Sequence, residues 1–341
     1  MTAELRTVLP PQERVGEPEP RPFAGRQGRS DKVFTRVTFL SGVAVLAIMG
    51  AVGFFLTLES TDALGRVGFS FLTTSVWEPD RGEFGIKAVL TFTVLIALVA
   101  VAIAFPISMA TALFIVEIAP RRVKSWLVSL VDLMAAVPSV VYGLWGAFLM
   151  QGQVIGLSRW INTWFGWIPL FSVDGADPGN PLSNATVYTA STFVAGVVVA
   201  MMVMPIQCVV MREVFSQVPP GEREGAFALG ATRWGMIRVV TLPFGRGGII
   251  GGTMLGLGRA LGETIAVYMI ISSRFDISFH VLESGSNSVS ALIALRYAEA
   301  SDFGLSALFS AGLSLFLITL VVNFTASWFV ARSRSGADSE A

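Results

Sequence analysis

The feature that most constrains this chain is the recurrence of long apolar runs. Six stretches, at 37–58, 86–117, 125–150, 187–211, 246–272 and 303–331, are about 20 residues or longer and carry few charges. A helix of about 20 residues crosses the roughly 30 Å hydrocarbon core of a bilayer. Lipid offers no partner to a backbone N–H or C=O, so such runs must be helical. The reading is an all-α, polytopic membrane protein with six transmembrane helices. Composition agrees: 14% of the 341 residues are charged and 53% are hydrophobic, whereas about a quarter of a soluble domain is charged.

Basic residues set the orientation. Of 24 Lys and Arg, 17 fall in the N-terminal stretch, the 118–124 turn, the 212–246 region and the C-terminal stretch. Six fall in the alternate loops, and Arg259 lies inside a run. Basic loops stay cytoplasmic, so both termini are expected there. Residues 1–36, with Pro10, Pro11, Pro18, Pro20 and Pro22 among seven bases, read as a disordered cytoplasmic tail. Residues 332–341 read as a second, short tail. A polar lead of about 36 residues is too long for a secretory signal peptide. In the 151–186 loop, Trp160, Trp164 and Trp167 repeat at i, i+4 and i+7. That suits a short interfacial helix, or equally an apolar loop packed on the spans.

The fifth run holds Arg259 and Glu263 near its middle, where a charge costs roughly 2.5–3.5 kcal/mol on insertion scales. Read as one continuous helix at about 100° per residue, it puts Gly248, Gly252 and Gly256 on one face with Arg259 and Glu263. Ile250, Met254, Leu257, Leu261, Ile265 and Tyr268 fall opposite, toward lipid. A glycine stripe lets a neighbouring helix approach closely. Arg259 and Glu263, four apart, are placed to bridge along the helix, as a substrate site or as a packing pair that fixes register. Elsewhere, Glu117 is expected to pair with Arg121, and Asp132 to be solvated or capped. Pro106, Pro138 and Pro205 read as helix-shaping.

Enzyme chemistry finds little support. The one histidine, His280, lies in a loop, and Cys208 is the one cysteine, so an internal disulfide and a His-rich metal or haem site are excluded. No Gly-x-Ser-x-Gly falls in a run, and no Walker A pattern occurs. Between the fourth and fifth runs, residues 219–234 read as a short helix started by prolines, with Glu222 in its first turn.

Here a resemblance enters. Glu224-Gly225-Ala226, then Gly230, then Leu242-Pro243 resembles the coupling loop of ABC-importer permeases, which docks on the ATPase; Gly225 stands where that family usually has Ala. Gly256-Leu257-Gly258-Arg259-Ala260-Leu261-Gly262-Glu263-Thr264, with Val137-Pro138-Ser139 through Tyr142-Gly143-Leu144-Trp145-Gly146, is similar to the phosphate-specific permeases. The order of features, including Trp77, Pro79 and Phe84-Gly85, is closer to their PstC type than to PstA. The resemblance covers about residues 35–331. It implies a type I ABC-importer permease fold, with a coupling helix at about 220–236. It also implies a PstA-like second permease, a PstB-like ATPase dimer that holds the ATP and Mg, and a PstS-like extracellular phosphate-binding protein. The chain itself is then expected to carry no cofactor and no metal, and to meet lipid but no nucleic acid. A permease for another oxyanion (sulfate, molybdate or phosphonate) and a phosphate-sensing scaffold are the rival readings.

Overall fold

The computed structural model of the chain describes residues 28–175 and 185–334. The expected C-terminal tail from 335 onward, and most of the N-terminal one, lie outside the described residues. Residues 29–36 are helical: they open α1, Arg29–Glu59. The chain divides into two compact units, Met1–Val52 and Gly53–Ala341. In the first, α1 exposes apolar side chains all round, from Val33, Phe34 and Val37 to Met49 and Val52. A helix apolar on every side is suited to lipid.

In the second unit, α2 (Thr61–Val67) leads to a small hairpin in which β1 (Trp77–Glu78) pairs antiparallel with β2 (Glu83–Phe84). Then comes α3 (Lys87–Leu113), prolonged by a π-helical turn at Phe114–Ile118. Next are α4 (Arg121–Ala136), α5 (Ser139–Trp145), α6 (Gln151–Phe165) and α7 (Thr192–Ser216). Three short helices follow, α8 (Pro220–Ala228), α9 (Arg233–Met236) and α10 (Leu242–Phe244). The chain closes with α11 (Arg246–Leu261), α12 (Ile265–Ile270), α13 (Val289–Arg296) and α14 (Asp302–Arg334).

The centre is the pairing of α3 with α7. Their contact is built from small residues, Ala97, Ala100, Ala104, Ala195 and Ala200, all buried. Gly196 receives Val99 where a Cβ would collide. Close backbone approach of this kind is how helices gain contact without a hydrophobic drive between them. Ser108 donates to the Met204 carbonyl across the pair at 2.9 Å. Pro106 and Pro205 sit inside these two helices, which continue through them.

Among the described residues, five helical stretches are long and apolar enough to cross a membrane: Ser30–Glu59, Lys87–Ile118, Ser139–Phe165, Thr192–Ser216 and Asp302–Trp328. Two expectations change. The third run, expected at 125–150, is cut at Val137-Pro138, because the residue before a proline avoids helical geometry; Val137 is extended, with ψ 128°. Upstream, α4 is an amphipathic helix packed on α7. The apolar stretch runs instead from 139 to 165, so Trp160 and Trp164 sit at its end rather than on a separate short helix. Its polar residues turn inward: Ser158 is buried, and Asn162 donates to the Tyr188 hydroxyl at 2.8 Å. The fifth run, expected as one helix, is two helices of 16 and 6 residues separated by Gly262-Glu263-Thr264.

Candidate functional site

The expected site residues fall in two places, α11 with the break that follows it and the α8–α10 region. On α11, Gly248, Gly252 and Gly256 face α7. A Cβ on Gly248 would run into Val214, one on Gly252 would lie 3.3 Å from Val210, and one on Gly256 would run into Gln207 and Val203. α7 supplies the ridge Val203, Gln207, Val210, Val214 at steps of three and four, and glycines supply the groove.

Arg259 stays on the helix that carries those glycines, but Glu263 lies beyond its end, and the two do not pair. α11 ends at Leu261, so the i, i+4 geometry of a continuous helix is lost. Glu263 turns inward and is 8% exposed. Its Oε1 accepts the Ala266 N–H at 3.3 Å, capping the freed first turn of α12. Its carbonyl, which the break also frees, accepts the Ser290 hydroxyl at 2.8 Å. Arg259 lies on an exposed strip with Leu255 and Gly262, spaced i, i+4 and i+7. Its guanidinium forms no hydrogen bond or ion pair with any described residue, and it lies within electrostatic reach of the Tyr142 hydroxyl. Leu257 and Leu261, expected to meet lipid, belong to the core instead, because α11 packs on α7, α14 and α3.

The α8–α10 region is a chain of short, well-capped pieces. The expected single helix over 219–234 splits at Gly230. Ala231 N–H bonds the Ala226 carbonyl at 3.0 Å and Gly230 N–H bonds that of Phe227 at 2.9 Å. That pattern ends a helix with a left-handed residue, and Gly230 has φ +84°. Thr232 then caps α9 by accepting the Gly235 N–H at 3.1 Å. Glu224 and Gly225 are exposed, Ala226 and Leu242 turn inward, and Pro243 is exposed. Leu229 is 91% exposed, with Phe227, Trp234 and Val239 also open.

Sequence reasoning missed what ties this region to the bundle. Glu117, expected beside Arg121, pairs with Arg223 at 3.0 Å. The signal was Pro120: it starts α4, so Arg121 does not share a helix with Glu117. Asp132, expected to be solvated or capped, is half exposed and lies 3.5 Å from Arg212.

Comparison with known proteins bears on this arrangement. Residues 104–335 match the family described as "Binding-protein-dependent transport system inner membrane component". The chain belongs to this family. It is thus a multi-pass protein of the plasma membrane, the membrane component of an importer that works with a binding protein and an ATPase. Among curated relatives, the "Phosphate transport system permease protein PstC" of Pasteurella multocida is 37% identical over 294 residues, 85% of this chain and 88% of that one. The protein of the same name from Haemophilus influenzae is 36% identical over 302 residues, 86% and 90%. "Phosphate transport system permease protein PstC 2" of Mycobacterium tuberculosis is 33% identical, covering 87% and 91%. Among solved structures, a bacterial ABC transporter for import of the acidic polysaccharide alginate covers 89% of this chain and 99% of its own, at 16% identity and TM-score 0.56. The MetNI methionine ABC transporter, in an inward-facing form, covers 73% and 95% at 13% identity and TM-score 0.52. These two share the fold with this member of the inner membrane component family.

Proposed function

We infer that the chain is the PstC-type membrane subunit of an ATP-driven importer that carries inorganic phosphate from an extracellular binding protein into the cytoplasm. One observation carries this reading: relatives named as phosphate transport permease proteins match it along most of both chains at 33–37% identity.

The path is read as six spans with both termini cytoplasmic. They are α1, α3 with its π turn, α5–α6, α7, the broken α11–α12, and α14. The region from α8 to α10 then faces the cytoplasm, where the exposed Leu229, Phe227 and Trp234 meet a PstB-like ATPase dimer. ATP and Mg are handled by that ATPase, and this chain is a transport subunit without a cofactor of its own. The exposed strip Leu255–Arg259–Gly262 faces a PstA-like second permease across the pathway. In lipid Arg259 would cost roughly 2.5–3.5 kcal/mol or more. The loops at the opposite end receive a PstS-like phosphate-binding protein.

Arg259 stands 13 residues beyond Arg246, about 20 Å along the helix at 1.5 Å per residue. It is exposed near a helix break and makes no ion pair with any described residue. Guanidinium presents a fork of N–H donors that matches an oxyanion, and no carboxylate among the described residues competes for it. Glu263 works from behind: it caps α12 and so holds the bend from which Arg259 projects. Irregular backbone at this depth is tolerated where it lines a cavity.

The test is labelled phosphate uptake by the complex reconstituted with its three partners, with arsenate and sulfate as competitors. Arsenate should compete and sulfate should not. Uptake of sulfate, molybdate or a phosphonate in place of phosphate would move the substrate to that oxyanion. Complexes that signal phosphate status but transport nothing would make the chain a scaffold.

A further inference from the structure

We propose that Glu117 is the positioning residue through which movement of α8 reaches the spanning helices, an inference that rests on α8 being the ATPase-docking element. α8 buries none of its residues. Among the described residues, its side-chain hydrogen bonds and ion pairs come from Arg223 alone. Arg223 Nη2 donates to the Phe215 carbonyl at the end of α7, at 2.8 Å, and meets Glu117 Oε1 at 3.0 Å. The same Oε1 accepts the Thr241 hydroxyl at 3.1 Å. Phe215 in turn packs its ring where a Cβ on Gly245 would lie, at the root of α11.

One carboxylate therefore joins two spans, α3 and α11, to the docking helix, and Arg223 adds α7 through the Phe215 carbonyl. Glu117 lies in the π turn that ends α3, and Thr241 lies in the π-helical segment Ile237–Thr241 that precedes α11. Such π turns are rare and recur at functional positions. The Glu117 side chain is only 6% exposed, so solvent screens the pair weakly and removal of one partner strands the other.

The junction also holds a spare donor. Arg223 Nε is buried without a hydrogen-bond partner, so Arg223 grips Glu117 through one nitrogen. A shift of α8 that turns Nε onto the carboxylate would add a hydrogen bond to an ion pair whose Nη2 now donates to the Phe215 carbonyl, moving it toward the two-bond fork that guanidinium favours. The junction would then have two arrangements of unequal strength, which is what a mechanical coupler needs. The ATPase would bias α8, and Glu117 would pass the bias to α3 and, through Thr241, to α11 and Arg259.

The test uses the full complex in proteoliposomes and reads binding-protein-stimulated ATP hydrolysis, phosphate uptake and the amount of ATPase subunit that co-purifies. Glu117→Gln should lower stimulation and uptake about tenfold, within the usual range of coupling energies, while the ATPase still co-purifies. Thr241→Val, which removes one hydroxyl, should lower them by a smaller factor. Glu117→Arg combined with Arg223→Glu should restore most of the stimulation that either single change loses, which a merely structural defect would not allow. Leu229→Asp tests the docking reading separately, since it should remove the ATPase. If Leu229→Asp removes the ATPase while Glu117→Gln and Thr241→Val keep wild-type stimulation, docking stands and the coupling role is overturned. If Leu229→Asp keeps a fully coupled ATPase, the docking reading falls and the coupling role falls with it.

Discussion

Two glycines three residues apart on α11 should respond oppositely to the same added methyl group. A Cβ at Gly248 would lie 2.6 Å from Val214 Cβ and 2.9 Å from its Cγ1. Valine is stiff at χ1, so the helices must part. A Cβ at Gly251 would meet nothing within 4 Å. Alanine gains about 1 kcal/mol of helix propensity over glycine at either place, so that gain cancels in the comparison. Overpacking costs about 1–3 kcal/mol, and only Gly248→Ala incurs it. At about 2–4 °C per kcal/mol, the two variants should melt roughly 2–12 °C apart. The assay is thermal unfolding of the isolated chain in detergent, followed by tryptophan fluorescence. Gly251→Ala should match or exceed the parent, and Gly248→Ala should fall below it. Equal melting of the two would refute the close α7–α11 packing.

The helix break gives a second expectation. Because Glu263 caps α12 and does not pair with Arg259, Glu263→Gln keeps an acceptor for the Ala266 N–H and should melt near the parent. Glu263→Ala strands that donor and should cost about 1–3 kcal/mol. A loss of about 3–5 kcal/mol for Glu263→Gln in the same melt would instead signal a buried ion pair. Gly230→Ala puts a side chain at φ +84°, at a cost of about 1–2 kcal/mol, and should weaken ATPase co-purification with little effect on the melting of the bundle. In the 272–288 loop, burial pushes the Glu283 carboxyl up, but hydrogen bonds from Arg274 and Ser278 and the charges of Arg274 and His280 outweigh it and hold it below its ordinary 4.5. A carboxylate lowered in the folded state stabilises above its ordinary value and loses that contribution as pH falls through the lowered one. Melting followed from neutral to acid pH should therefore fall more below 4.5 for the parent than for Glu283→Gln.

How much of this was legible in the sequence differs by feature. The glycine face of α11 was readable because Gly248, Gly252 and Gly256 recur at helical spacing and glycine has one steric use there. Its break was not: Gly262-Glu263-Thr264 contains no proline, and apolar residues resume at Ile265. The wrong placement of the third run had a local cause. Trp126 to Leu133 is apolar enough to read as part of a span, whereas Gln151, Gln153, Ser158 and Asn162 make the true stretch look like a loop. Those polar groups are tolerable because Ser158 bonds its own helix and Asn162 meets Tyr188, which only the three-dimensional packing reveals. The Glu117–Arg223 contact joins residues far apart in the chain, and no local spacing announces it. Gly230 was visible as part of a family pattern, but its reason, a left-handed helix end, needed the backbone.

In the proposed pathway Arg259, which makes no ion pair with any described residue, is the charge that the substrate meets. The most direct measurement is labelled phosphate uptake by Arg259→Gln and Arg259→Lys complexes that retain the second permease and the ATPase. A lost charged hydrogen bond of about 1.5–3 kcal/mol predicts roughly ten- to hundredfold slower uptake for Arg259→Gln. Arg259→Lys, which keeps the charge without the fork, should fall between that variant and the parent. Uptake at the parental rate by fully assembled Arg259→Gln complexes would contradict the account.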